Sequence, residues 1–295
     1  CVIGSDTIDT QNALNDNGVF YLSLDPPRSL FESFFVEAII NSNNYIIINQ
    51  PEIEIVEEPL PDGIVMGPNW LNDQMILAVF APSQPVMRVI VTLLGTGGSV
   101  SDTLIMKKSS SQGDVWWLGL DLAYGHYDYE YLLLDDTKLA DPLSRRVENG
   151  RTRIEIGPGG VSTADDYQWI SSDYTRPDLD TLIIYEMHVD DFAAAGDGQG
   201  RFEHIIQRLD YLKSIGINAI ELLPVTDFPG THSWGYDPNL ISAVESNYGT
   251  PEDFKMLVDQ SHLRGIAVIM DIVWNHIRSS SPVWQIQPNY DLNPY

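Results

Sequence analysis

Cysteine is almost absent from these 295 residues. The one present is Cys1, so no disulfide can form within the chain and its fold must rest on buried apolar surface. Basic residues are scarce too. Sixteen Lys and Arg stand against 42 Asp and Glu, a formal net charge of −26. A surface of that sign repels phosphate backbones, so no nucleic-acid partner is expected. The same charge suits a neutral ligand in a salty or extracellular setting, or serves solubility alone. Long apolar runs are also missing. The longest, at 45–48 and 266–270, are strand-length, far short of the roughly 18–20 residues that span a bilayer.

The sequence does not begin with methionine. Cys1 followed by Gly4-Ser5-Asp6-Thr7 looks like the start of a mature bacterial lipoprotein; a cut edge is the other reading. On the first reading a lipid on Cys1 is the only membrane attachment. The protein would then be extracellular, periplasmic or at the bacterial cell surface. A monomer is expected. An apolar content of 43% is enough to build true cores, and the length suits two domains with an appended segment.

Residues 1–16 are polar and read as a poorly ordered lead-in. β-type runs follow at 19–24, 34–40, 45–48 and 53–56, punctuated by Pro26-Pro27, Asn41–Asn44 and Pro51. Residues 57–62, with two prolines and three acids, read as a linker that closes an amino-terminal segment, 1–62. Between 63 and 156 the short runs continue, without helical periodicity, as an antiparallel β-sandwich. Trp116, Trp117, Tyr124, Tyr127, Tyr129 and Tyr131 crowd one part of it. Exposed, such rings would stack on sugar faces; alternating inward, they fill the sandwich core, which is the favoured reading. Asp135-Asp136 reads as a hairpin turn rather than a metal site.

Residues 157–180 read as a polar linker, after which the pattern changes. LIIYEMH at 182–188 is a strand. Phe202, Ile205, Ile206, Leu209 and Leu212 lie on one helical face that ends at Gly216. A second strand occupies 219–223 and Pro224 stops it. Thr250 is placed to cap a helix with Pro251 at its first position and Glu252 and Asp253 in its first turn. Phe254, Leu257 and Val258 supply the buried face and Gly265 the end. The next run, IAVIMDIV at 266–273, reads as a strand buried on both faces that closes on a carboxylate, Asp271. The order β-α-β-α-β predicts a parallel sheet with right-handed crossovers over 181–295.

Loop length marks the working edge. The helix-to-strand links at 216–218 and 265–266 are minimal, whereas 189–200, 224–249 and the stretch after 273 are long. Long loops confined to the carboxyl ends of parallel strands are the usual place for a ligand. HSWGYDP at 232–238 lies in one of them. Its rings could form a sugar subsite with His and Asp binding hydroxyls, or Trp234 and Tyr236 could pin the loop to the sheet. His188, at the first strand end, is a ligand group or, more often for such a residue, a hydrogen-bonded structural histidine. His204 and His262 fall on helices as surface or packing residues.

These motifs resemble the α-amylase superfamily, glycoside hydrolase family 13. DIVWNH at 271–276 is similar to that family's third-strand signature, YEMHVDDF at 185–192 to its first strand, GINAIELLPV at 216–225 to its second, and SWGYDP at 233–238 to the loop that follows. The pattern is nearest the pullulanase, branching-enzyme and bacterial secreted α-amylase branch, in which a β-sandwich of the early-set or carbohydrate-binding kind precedes the barrel. The resemblance therefore implies a β-sandwich followed by an incomplete (β/α)₈ barrel, with an α-glucan as partner. It implies that Tyr236 stacks on the sugar at the cleavage subsite and that His276 hydrogen-bonds the same sugar. Asp271 would order the site, Trp234 would line it, and Asn275 and His188 would support it. Asn275 ligates structural calcium in some members. The branch resembled often lacks it, so no metal or other cofactor is expected. Trp274 occupies the motif's variable position.

The family's retaining mechanism uses an aspartate nucleophile after the fourth strand, a glutamate acid/base after the fifth and a third acid after the seventh, with the reacting carboxyls about 5–5.5 Å apart. None of Asp190, Asp191, Asp227 or Glu221 is at a matching position, so the expectation is an amino-terminal part without catalytic residues, inactive alone and marginally stable in its barrel half. The alternative is a non-catalytic α-glucan-binding protein or degenerate barrel.

Overall fold

The computed structural model describes residues 55–95, 103–162, 167–194 and 198–293 in full, together with the backbone of short strands before residue 55. The chain divides into two compact units, Cys1–Glu54 and Ile55–Tyr295.

Among its described residues the first unit has three antiparallel strand pairs. Val2–Ile3 pairs with Asp6–Thr7, Leu14–Asp16 with Val19–Tyr21, and Phe34–Ile40 with Asn43–Asn49. The expected strands at 34–40 and 45–48 are the two arms of the longest pair. Strand pairing within 2–16 was not expected from so polar a stretch. Residues 22–24, 53 and 54 of the other expected runs lie outside the described residues.

The second unit begins with two sheets. One runs Leu104–Ile105, Arg88–Leu93, Gly125–Leu132, Arg151–Gly157 and Val147–Glu148. The other runs Glu57–Glu58, Lys107–Ser109, Val115–Leu120, Gln74–Phe80 and Gly67–Leu71. They share one core of Met75, Leu77, Val79 and Trp116 from the second sheet with Val89, Val91, Tyr129, Tyr131 and Ile154 from the first. Burial in Arg151–Gly157 alternates residue by residue, the period of a strand with one face in a core. Trp116, Trp117, Tyr127, Tyr129 and Tyr131 are all buried and Tyr124 is exposed, so this aromatic cluster is packing material apart from one ring. Asp135 and Asp136 form a turn; Thr137 N–H donates to Asp135 and Arg88 pairs with Asp136 at 2.8 Å.

Two expected linkers are structured. Glu57–Glu58 adds to the second sheet parallel to Lys107–Ser109, and Lys107 Nζ neutralises Glu58 at 2.6 Å. Leu60 is buried beside Ile76, Ala78 and Trp117. Pro59 and Pro61 stop the strand without removing the segment from the fold. Within 157–180, Gly160–Ser162 pairs back onto the sandwich. Residues 167–171 lie along the helix Pro251–Leu263 because Asp259, fully buried, accepts from Tyr167 Oη (3.2 Å), Ile170 N (3.1 Å) and Ser171 N (2.9 Å). Those three bonds offset the cost of a dry carboxylate. Tyr174 stacks on His262 at 3.9 Å, the packing role expected of that histidine.

Three parallel strands, Ile184–Met187, Ala219–Leu222 and Ala267–Met270, form the β/α part, in register Ile184↔Ala219↔Ala267. The expected first helix is two short ones, Phe202–Ile206 and Leu209–Ser214. Arg208 N–H bonds back three residues to Ile205 O at 2.8 Å and tightens the chain between them. Their apolar face still packs as one, with Phe202, Ile205, Leu209 and Leu212 fully buried. The helix Pro251–Leu263 has a complete capping box: Asp253 N–H donates to Thr250 Oγ1 and Thr250 N–H to Asp253 Oδ2. Such a cap is worth about 1 kcal/mol.

The third strand departs from expectation. Ile266 and Ala267 are buried, but Val268 and Ile269 are partly open and Met270 is 40% exposed. Among the described residues it pairs only with the second strand. After it, a short helix at Pro282–Gln285 returns the chain to the sandwich, where Ile286 enters the core. Among the described residues no helix is long and apolar enough to cross a membrane.

Candidate functional site

The three strands deliver their carboxyl ends to one edge, and the site is built there. Asp271 follows the third strand directly, its N–H bonded to Leu222 O at 3.0 Å. The ladder thus continues one step past Met270 and fixes the aspartate's position. Tyr236 arrives from the loop after the second strand, and its hydroxyl donates to Asp271 Oδ2 at 2.6 Å. That bond, helped by partial burial and by the charges of Asp271, Glu186 and Glu221, pushes the phenol up to about 12. His276 Nε2 lies 2.7 Å from the Tyr236 carbonyl oxygen; a carbonyl only accepts, so this nitrogen carries the proton.

Tyr236, Asp271 and His276 are therefore brought together. Asn275 is beside them, its Oδ1 3.3 Å from His276 Nδ1. Trp234 and Trp274 are 65% and 72% exposed. Among the described residues no group of three or more His, Cys, Asp or Glu converges to hold a metal.

The backbone explains why the loop can approach so closely. Gly235 has φ +83°, and a Cβ there would sit 2.5 Å from Pro224 O. Its N–H bonds to Ser233 Oγ, which in turn donates to Asp237 Oδ1 at 3.0 Å. Arg278, from the chain after the third strand, pairs with Asp237 through Nε at 2.7 Å.

His188 is not part of the Tyr236–Asp271–His276 group. It is buried, with Nε2 2.9 Å from Ser233 O and 2.8 Å from Tyr248 Oη. The hydrogen-bonded structural reading is the one realised. Beside it Asp190 accepts from Gly200 N at 2.6 Å and meets His232 Nδ1 at 2.8 Å. Burial works against the Asp190 charge, but these two bonds hold its carboxyl below the usual range. Asp227 behaves in the opposite way: burial pushes it up to about 6, against one bond from Asn239 Nδ2 at 3.0 Å. Sequence reasoning missed Tyr248, Arg278 and the Asp190–His232 pair. Each reaches across more than 40 positions or across loops with no periodic pattern, so no local signal marks them.

A separate cleft of about 440 Å³ lies at the seam of sandwich and β/α part, lined by Val65, Leu143, Arg153, Ser242 and Pro251 among others. Arg153 is already committed to Asp128, at 2.8 Å, and to Glu148.

The profile of the α-amylase catalytic domain matches residues 185–291. A malto-oligosyltrehalose trehalohydrolase from Saccharolobus solfataricus is 36% identical over 149 residues, 50% of this chain and 25% of its own. The 1,4-alpha-glucan branching enzyme GlgB of Rhodospirillum rubrum is 33% identical over 208 residues, 68% of this chain and 28% of its own. A pullulanase from Paenibacillus barengoltzii, solved in complex with maltotetraose, superposes with a TM-score of 0.55 at 23% identity, over 74% of this chain and 39% of that one. The chain spans about a quarter of the length of these curated relatives. To the branch anticipated from the motifs they add the trehalohydrolases.

Proposed function

We propose that the protein to which residues 185–291 belong, a segment that matches the α-amylase catalytic-domain family, acts on α-glucosidic bonds of a malto-oligosaccharide-like α-glucan by a retaining double displacement. In this reading Tyr236 presents its ring to a sugar, His276 and Asp271 fix that ring and the neighbouring hydroxyls, and Trp234 lines the approach. The observation that carries it is the 2.6 Å Tyr236–Asp271 bond at the carboxyl ends of parallel strands, with His276 on the same tyrosine's carbonyl.

No nucleophile or acid/base is assigned within residues 1–295. The described loop carboxylates here are occupied: Asp271 by Tyr236, Asp190 by His232 and Gly200, Asp227 by Asn239. The proposed role of this chain is positioning, and it performs no turnover by itself. The test is calorimetric titration of the full-length protein with maltotetraose, alongside hydrolysis assays of full-length protein and residues 1–295. Binding and turnover by the first, with no turnover by the second, is expected. Turnover by residues 1–295 alone, or no maltotetraose binding by the full-length protein, overturns the reading.

A further inference from the structure

Residues 232–237 cross the carboxyl ends of all three parallel strands and are fastened on both sides. On the third-strand side Tyr236 is held by Asp271 and His276, and Asp237 by Arg278. On the first-strand side two adjacent residues are latched. His232 Nδ1 meets Asp190 Oδ2 at 2.8 Å, and the Ser233 carbonyl oxygen lies 2.9 Å from His188 Nε2. Of the two rings proposed to meet sugar, Trp234 lies between these fastenings and Tyr236 belongs to the third-strand one.

The His188 latch is the deeper of the two. His188 is 6% exposed, whereas the His232 side chain is 58% exposed. Because the Ser233 oxygen can only accept, the His188 proton is on Nε2. Tyr248 Oη, 2.8 Å from the same nitrogen and 3.5 Å from Ser233 O, shares that proton and can return its own to the carbonyl. On the other side of the ring, Nδ1 lies 3.1 Å from Asp191 Oδ2 and 3.4 Å from Asp191 N; the Ser233 bond needs only that Nε2 carries a proton. His188 directly follows the first strand, so its Cα is placed by the sheet. The loop is thereby referenced to the strand ladder rather than to other loops.

We propose that His188 is a positioning residue for α-glucan binding: through the Ser233 carbonyl it sets the place of Trp234 and Tyr236 without touching the sugar. The proposal rests on the α-glucan reading above. Gly235 makes the effect sharp, since its backbone packs against Pro224 with no room for a Cβ and the segment fits in one path.

The test compares His188→Gln with His188→Asn in the full-length protein. Glutamine can place an amide N–H where Nε2 stands; asparagine is one methylene too short to reach Ser233 O. Two readouts are taken: amide hydrogen exchange at Gly235 and Tyr236 against Ile220 and Leu222 of the second strand, and steady-state kinetics on maltohexaose. In His188→Asn, exchange at Gly235 and Tyr236 is expected to quicken about tenfold while the second strand is unchanged. KM should rise about five- to tenfold, the scale of one lost hydrogen bond, with kcat within about twofold. In His188→Gln both effects are largely reversed. Unchanged loop exchange, equal loss of protection in the second strand, or a loosened loop with unchanged KM each overturns the proposal. Wild-type protein that neither binds nor turns over maltohexaose overturns the α-glucan reading and the positioning claim with it, whatever the exchange shows.

Discussion

Tyr236 and Asp271 come from loops 35 positions apart and meet at 2.6 Å, phenol to carboxylate. The bond joins the loop after the second strand to the end of the third, and it has a consequence in alkali. The tyrosine's proton is held up to about 12, above its ordinary value of 10.0. A group whose folded value is raised adds stability that is fully present below the unfolded value and is lost as pH rises through the folded one.

Tyr236→Phe should therefore flatten the stability profile between about pH 10 and 12, as followed by chemical denaturation across that range. At pH 7 the variant keeps the ring and loses a hydrogen bond to a charged group. Maltotetraose binding by the full-length protein should weaken about three- to tenfold, against a larger loss in Tyr236→Ala. Equal losses in the two variants would mean that the hydroxyl, not the ring, carries recognition.

Asp227 titrates in a more accessible window. It is buried, its carboxyl is pushed up to about 6 from 3.8, and its main compensation is Asn239. The nearby charge of Glu245 adds to the shift. A raised carboxylate favours the folded state at low pH, and that contribution disappears as pH climbs from about 4 to about 6. Asp227→Asn, which can still present an oxygen to Asn239, should remove this dependence and stabilise the protein at pH 7 by about 1–3 kcal/mol. Thermal unfolding at pH 4, 5, 6 and 7 reads it directly. A variant that loses stability at pH 7 would show that the charge at 227 is needed.

How much of this was readable in advance differs by element. The parallel strands and the helix at Pro251–Leu263 follow from short-range patterns, apolar runs and a Thr-Pro-Glu-Asp start, whereas the grouping of Tyr236 with Asp271 and His276, 35 positions away, was implied only by the resemblance of their two motifs to one family. Asp259 shows where such reading stops. On a helix it looks like any solvated acid, yet it is buried by a segment some 90 positions earlier, and only the folded contact reveals why. Glu57–Glu58 is similar. Its composition reads as a linker, and it becomes a strand because Lys107 and an unpaired sheet edge are waiting for it. The His188–Ser233–Tyr248 contact joins the end of the first strand to two distant loop residues, and no spacing encodes that.

The Asp259 contact can be tested by itself. Asp259→Ala removes the acceptor of Ile170 N–H, Ser171 N–H and the Tyr167 hydroxyl, and leaves one buried donor, Ser171 N–H, without its partner. A loss of about 1–3 kcal/mol is expected. Limited proteolysis should then cut within 167–174 first. If the variant is destabilised but that segment resists cleavage, the segment is held by something other than Asp259.

The last relationship with measurable weight is between the two halves of the second unit. Ile286 follows the third parallel strand in sequence yet is fully buried in the sandwich core, among residues that include Met75, Trp116 and Tyr129. Polar contacts accompany it: Gln84 Nε2 donates to Ile286 O at 2.6 Å and Gln287 Nε2 to Pro82 O at 3.0 Å. An isoleucine placed this way ties the β/α part, with its open third strand, to a closed and well-packed core. Truncating it to alanine removes buried methyl groups and leaves a cavity, at a cost of about 2–5 kcal/mol. Where that cost falls is the informative part. If the contact couples the two halves, wild-type residues 55–295 unfold in one transition, and Ile286→Ala splits it, with the β/α half melting at lower temperature than the sandwich. Calorimetry resolves the two cases. One transition in both proteins, merely shifted, would mean the coupling is spread along the whole seam, including Ser242 Oγ on Ser144 O at 2.8 Å, and is not concentrated at Ile286.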